Sequence, residues 1–153
     1  LGKFYEGLGD ELSLFVRHSA WLGAVPEAKE GTRADSAKLS RRERIERDGG
    51  EIEMPPFDEG EYLIGYLYEL GPTVAAGMGA GPVTFTEMAA WQAARGFELA
   101  PWEARLLRRL SVDYLAESHR ATQHDCRPPW GGSVAVRVSH DRAAARALEL
   151  FLA

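Results

Sequence analysis

The chain has 153 residues, a length suited to one domain with a real hydrophobic core. Apolar residues make up 45% and charged residues 27%, as in globular proteins, and 23 acidic against 18 basic side chains leave a net charge of −5. That sign disfavours non-specific binding to a nucleic-acid backbone, and a lone cysteine, Cys126, excludes a disulfide within the chain. No apolar run approaches the ~18 residues that read as a membrane span, and Leu1-Gly2-Lys3-Phe4-Tyr5-Glu6 lacks the basic-then-apolar order of a secretory signal.

In chain order, Phe4, Leu8, Leu12, Phe15 and Leu22 recur at the spacing of one helical face. Gly7 and Gly9 weaken the first part, so Asp10 is predicted to cap a firmer helix over 11–22, and Gly23 and Pro26 end an N-terminal unit at 1–26. A charged segment follows at 27–57. Fifteen of its first 27 residues are charged, seven basic and eight acidic. The run Arg41-Arg42-Glu43-Arg44-Ile45-Glu46-Arg47 mixes signs, which suits a solvated helix or linker and argues against a basic nucleic-acid patch. Gly49-Gly50 stop it, and Pro55-Pro56 lead stiffly into the next unit.

A central module is predicted over 58–126, with three helices. The first places Tyr62, Leu63, Tyr66, Leu67 and Leu70 on one stripe and ends at Gly71-Pro72. A glycine-rich segment to Pro82 reads as a plain flexible loop: it lacks the Lys and Ser/Thr of a phosphate-binding loop and misses the dinucleotide spacing. Thr84 with Glu87 forms a capping-box pattern for a helix over 85–95 containing Met88 and Trp91, with Gly96 as its stop. The third helix opens at Pro101, where a missing N–H costs nothing, and carries Trp102, Leu106, Leu110 and Tyr114 at i+4. The tail at 127–153 breaks at Pro128-Pro129, shows a strand-like alternation through Val134, Val136 and Val138, and ends in an Ala-rich helix over 141–152. The fold class expected is all-α, a small bundle of about five or six helices with a charged connecting segment and one short strand near the C-terminus.

Chemistry is weakly signalled. His119, His124 and Cys126 are metal-ligand types close in sequence, but no second pair of Cys or His accompanies them, so a small metal-binding protein is the lesser reading. No nucleophile signature surrounds Cys126, and no cofactor is implied. The informative feature is aromatic. Most of the rings belong in a core, but three short helices cannot hide all of them, and the remainder are expected to line a groove or an oligomer contact. The candidate protein-binding residues are Tyr62, Tyr66, Met88, Trp91, Trp102 and Phe151, the last in the apolar tip Leu150-Phe151-Leu152.

The order of these features over residues 45–126 resembles a known family. Pro55, Pro56, Asp58 and Glu59 precede the helix Tyr62-Leu63-Ile64-Gly65-Tyr66-Leu67-Tyr68. Gly81-Pro82-Val83-Thr84-Phe85-Thr86-Glu87 and Ala90-Trp91 come next, followed by Leu99-Ala100-Pro101-Trp102-Glu103 and Leu107-Arg108-Arg109-Leu110. It is similar to small proteins of tailed-bacteriophage and prophage tail modules, and looks like the second part of lambda-like tail assembly chaperones. The resemblance implies a non-catalytic protein that binds the tape-measure protein, or another tail protein, in the cytoplasm of the bacterial host. A homo-oligomer fits it; nucleic acid and membrane have no part in it. The related alternative is a minor structural component retained in the virion. Segments 1–44 and 127–153 depart from the pattern.

Overall fold

The structure is a computed structural model that describes residues 2–131. Within them the order is α1 (Gly2–Gly23), α2 (Arg41–Arg47), α3 (Glu61–Leu70), β1 (Val74–Ala76), β2 (Gly79–Gly81), α4 (Phe85–Arg95) and α5 (Pro101–Arg120). The protein is therefore mainly helical rather than all-α. The predicted strand at 134–138 and the helix at 141–152 lie outside the described residues.

The departure from all-α is the glycine-rich segment, which forms an antiparallel hairpin with Ala76 opposite Gly79. Its two-residue turn is Gly77-Met78. Gly77 takes φ 59° while Met78 keeps a negative φ, the pattern of the II′ turn that matches strand twist. The base of the excursion is tied to α5. The buried Ser111 hydroxyl donates to the Pro72 carbonyl (2.7 Å) and accepts from the Val83 N–H (2.8 Å), and Arg108 Nη1 donates to the Val83 carbonyl (2.7 Å). Three-residue strands of Val, Ala and Gly show no apolar alternation, so the sequence carries no strand signal there.

α1 also differs from expectation. Asp10 does not cap it; the helix runs on from Gly2, and Asp10 accepts a hydrogen bond from Arg109 Nη2 at 2.6 Å. Two helical glycines cost roughly 1 kcal/mol each against alanine. Burying Leu8 returns about 1.5–3 kcal/mol, and Gly9 lets α5 come close, since a Cβ there would meet Arg109 Nη1 at 2.7 Å and Leu106 Cδ1 at 3.5 Å. Packing on a partner helix outweighs local propensity.

α1, α3 and α5 run in one direction. Asp10, Ser13 and Arg17 meet Arg109, Asp113 and Glu117 in that order, and Tyr62 and Tyr68 of α3 meet Glu103 and Tyr114 of α5. The core between them is Leu8, Leu12 and Val16 of α1, Leu63 and Leu67 of α3, and Leu106, Leu107 and Leu110 of α5, closed by Val83 and Met88. Segment 2–23 and the three predicted central helices thus share one core. Exposed ion pairs between the helices each contribute at most about 1 kcal/mol, less than one buried leucine, so they set register while the apolar seam supplies the stability.

The charged segment is less solvated than its composition suggests. α2 has a full capping box: Ser40 Oγ accepts from the Glu43 N–H, and the Glu43 carboxylate accepts from the Ser40 N–H (2.7 Å). Arg41, predicted on a solvated face, is buried. Its guanidinium donates to the carbonyls of Trp21, Ala121 and Gln123 and lies 4.7 Å from the centre of the Trp21 ring. It therefore joins the C-terminal ends of α1 and α5, where the helix dipole favours a cation. Binary patterning marks arginine as exposed, and only the free carbonyls at two converging helix ends explain its burial.

His18 is also buried, stacked on Trp21 (5.8 Å) and edge-on to Trp130 (5.7 Å), and its Nδ1 has no hydrogen-bond partner among the described residues. Desolvation is the largest influence and Arg42 adds to it; together they outweigh the Glu53 backbone and Glu117, so the imidazole titrates below its usual 6.5. The unfolded chain then binds the proton more readily than the folded one. The contribution of this imidazole to stability is complete above pH 6.5 and is lost as pH falls from there through the folded-state value. Urea midpoints between about pH 7.5 and 5.5 should therefore decline, and His18→Leu should flatten that decline.

The glycines supply a second test. Gly60 has φ 87°, and a Cβ there would meet Leu12 Cδ1 at 2.9 Å and Leu8 Cδ1 at 3.1 Å. Gly60→Ala should cost about 1–3 kcal/mol in denaturant unfolding. Gly65 is helical with open space around its Cβ position, and Gly65→Ala should stabilise by about 0.5–1 kcal/mol.

Candidate protein-binding surface

Because α1, α3 and α5 run parallel, their N-terminal turns gather at one end of the molecule, and the aromatic side chains gather with them. Pro101 starts α5 and places Trp102 in its first turn. Trp102 is half-buried on the core and packs against Tyr5 of α1, with ring centres 4.8 Å apart. Phe4 meets Tyr5 edge-on at 5.5 Å. On α3, Tyr62 meets Tyr66 edge-on at 5.5 Å, and Tyr66 continues to Trp91 (5.0 Å) and Phe97 (5.2 Å).

Local structure holds these rings in place. Thr84 Oγ1 caps α4 by accepting from the Glu87 N–H at 3.1 Å, and Gly96 closes it in the left-handed conformation at φ 74°. Gln92 then spans the turn, its Nε2 donating to the Met88 carbonyl and its Oε1 accepting from the Leu99 N–H at 2.6 Å. That bridge fixes Phe97 against Tyr66 and Trp91. At the start of α5, Glu103 accepts from the Ala100 N–H at 2.8 Å and from the Tyr62 hydroxyl at 2.6 Å. Partial burial first, then that carboxylate, hold the Tyr62 phenol above its usual titration range, so it stays a donor.

The predicted residues divide. Tyr62 is 46% exposed and offers a ring face to solvent. Tyr66, Trp91 and Trp102 are half-buried and form the floor beneath it. Met88 was expected on the surface, but at 1% exposure it is a core residue, because its position on α4 faces the core shared with α1, α3 and α5 rather than solvent. Phe151 lies outside the described residues. Sequence reasoning missed Phe4 (54% exposed), Tyr5 (36%) and Glu103 as parts of the same surface. The missing information was the direction of α1 relative to α5, which no spacing reveals.

A signal in composition does mark this region. Between Arg47 and Arg95 the sequence contains no Lys, Arg or His, yet holds eight Asp and Glu. The loop before α3 and the whole of α3 belong to that stretch. Gly60 seats the loop on Leu8 and Leu12, and the Asp58 N–H donates to Glu11 of α1 at 3.4 Å. The acidic loop therefore borders the exposed tyrosines.

No known protein family, curated protein or solved structure matches this chain.

The arrangement offers packing and hydrogen bonding. Among the described residues, no three of His, Cys, Asp and Glu converge on a common point that could hold a metal. His124 Nδ1 lies 3.1 Å from the Glu27 carbonyl, and the carbonyl of Cys126 accepts from Trp21 Nε1 at 2.9 Å. Both residues help to secure the segment after α5. No described helix is long and apolar enough to cross a membrane.

Burial separates core from surface in a measurable way. Met88→Ala should lose about 2–5 kcal/mol in urea unfolding. Tyr62→Ala should cost about 1 kcal/mol, the value of one exposed hydrogen bond and partial ring contact. Equal losses would place Tyr62 in the core instead.

Proposed function

We propose that this protein is a non-catalytic protein-binding module acting as a tail assembly chaperone in the cytoplasm of its bacterial host. It holds the tape-measure protein while tail subunits assemble around it. The observation that carries the binding role is the aromatic end face: Phe4, Tyr5 and Tyr62 stand exposed above a half-buried floor of Tyr66 and Trp102. Rigid rings with a polar tip give large contact area at low entropic cost, and a shallow apolar surface on helices accepts the apolar stripe of another helix. The tape-measure assignment rests on the resemblance over residues 45–126, whose motifs include Tyr62, Tyr66 and Trp102.

The role makes definite physical demands. The contacts must release when the tail polymerises, which favours a modest surface over a large dry interface. The binding face must also be separable from the core, so that engagement does not require unfolding. Tyr62 and Phe4 meet that demand, because their exposure exceeds a third while the residues behind them are anchored.

Co-expression with a tape-measure protein from the same genome tests the proposal. The wild-type chain should keep the tape-measure protein in the supernatant and co-purify with it. Tyr5→Ala/Tyr62→Ala should lose co-purification at least about tenfold while keeping a wild-type circular dichroism spectrum. Absence of a complex with folded wild-type protein would overturn the chaperone role. Its presence in purified particles by mass spectrometry would favour a retained tail component instead.

A further inference from the structure

We infer that the segment docking on the aromatic end face is a basic amphipathic helix, its apolar stripe flanked by lysine or arginine. This deepens the binding-module reading and rests on it, but not on the tape-measure identity.

The argument begins with how the charges are used. Asp10, Glu69, Asp113 and Glu117 are each in an ion pair with an arginine of this chain. Glu103 accepts from the Tyr62 hydroxyl, Glu61 precedes Tyr62 on α3, and Glu11, Asp58 and Glu59 belong to the adjoining contact of α1 with the loop before α3; among the described residues none of the five is in an ion pair. The stretch from Asp48 to Ala94 supplies no basic side chain that could neutralise them.

Helix polarity provides a competing explanation, and its magnitude is insufficient. The N-terminal turns of α1, α3 and α5 lie at this end, and each carries about half a positive charge. Lys3 and Glu6 at the start of α1 cancel, and three such ends offset about 1.5 units of the five remaining negative charges. Glu61 and Glu103 are first-turn residues and fit a dipole role; Glu11, Asp58 and Glu59 are not. The surface therefore remains net negative after the backbone is included.

The basic helix α2 does not fill the site well from a second copy. Of its four arginines, Arg41, Arg44 and Arg47 already donate to groups of the same chain: Arg41 to Ala121, Arg44 to Leu39 and Ser36, and Arg47 to Ser36. Using them in trans would strip those carbonyls and the Ser36 hydroxyl of their donors. A separate partner meets no such cost. Aromatic faces ringed by carboxylates suit lysine and arginine in two ways: the stems pack on the rings while the heads reach the acids, and the cation is attracted to the ring face.

Two synthetic helical peptides with the same leucine stripe, one flanked by lysines and one by glutamates, test this on the full-length chain, using calorimetry and tryptophan fluorescence. The lysine peptide should bind at least about tenfold tighter, with the gap shrinking between low and high salt. Glu11→Lys/Glu59→Lys, which spares the capping positions, should narrow or invert the preference while leaving the circular dichroism spectrum unchanged. Equal binding of the two peptides, binding of neither, or indifference to the charge reversal would overturn the inference. Continued capture of the tape-measure protein in that case would leave the chaperone reading standing and place its contact on another face.

Discussion

Residues 24–100 lie between α1 and α5, yet these two helices lie side by side and parallel, with no local turn to bring them together. Everything else in the fold follows from holding that pair. The apolar seam of Leu8, Leu12 and Val16 against Leu106, Leu107 and Leu110 supplies the energy. The rungs Asp10–Arg109, Ser13–Asp113 and Arg17–Glu117 fix the axial register. At the C-terminal end, Arg41 gathers carbonyls from both helices, and the buried Glu117, paired with Arg120 and Arg17, stands just before that clasp. Burying a guanidinium is costly unless its donors are satisfied, and here three carbonyls and an aromatic face satisfy them.

Parallel packing also polarises the molecule. One end collects helix C-termini and the arginine clasp; the other collects N-termini, tyrosines and carboxylates. The proposed binding role and the inferred basic partner both depend on that division. Had α5 run antiparallel to α1, Tyr5 and Trp102 would sit at opposite ends and no aromatic face would form. The site is a consequence of helix direction as much as of residue type.

Much of this was legible in the sequence. The i+4 recurrence of Trp102, Leu106, Leu110 and Tyr114, with Pro101 in front, specified α5 well, and Thr84, Glu87 and Gly96 marked both ends of α4. What the residues could not convey was tertiary. Gly7 and Gly9 argued locally against a helix that packing on α5 sustains. Ser111 looked like one more polar residue, though its hydroxyl secures both ends of the hairpin. Met88 carried the flexibility of a binding residue and the periodicity of a core one, and periodicity proved the better guide. The arginine-rich α2 read as solvated because its one buried member answers to carbonyls about eighty residues away. Of the candidate site, the rings of α3 and α5 were visible and those of α1 were not, because they join the face only through parallel packing.

The long separation of α1 from α5 has a consequence for how the protein is made. Synthesis proceeds at roughly 5–20 residues per second, so about 5–20 seconds pass between completing α1 and completing α5. During that interval Leu8, Leu12 and Val16 lack their main partner helix, with only α3 made part-way through, and loop closure over the intervening chain must precede the contact that repays it. The nascent chain thus exposes an apolar helix on the ribosome for far longer than the helix itself takes to form. The charged residues that follow α1 emerge during this interval. They place a highly solvated segment beside the sticky one, a gatekeeper arrangement that protects the unfinished chain from aggregation until α5 arrives.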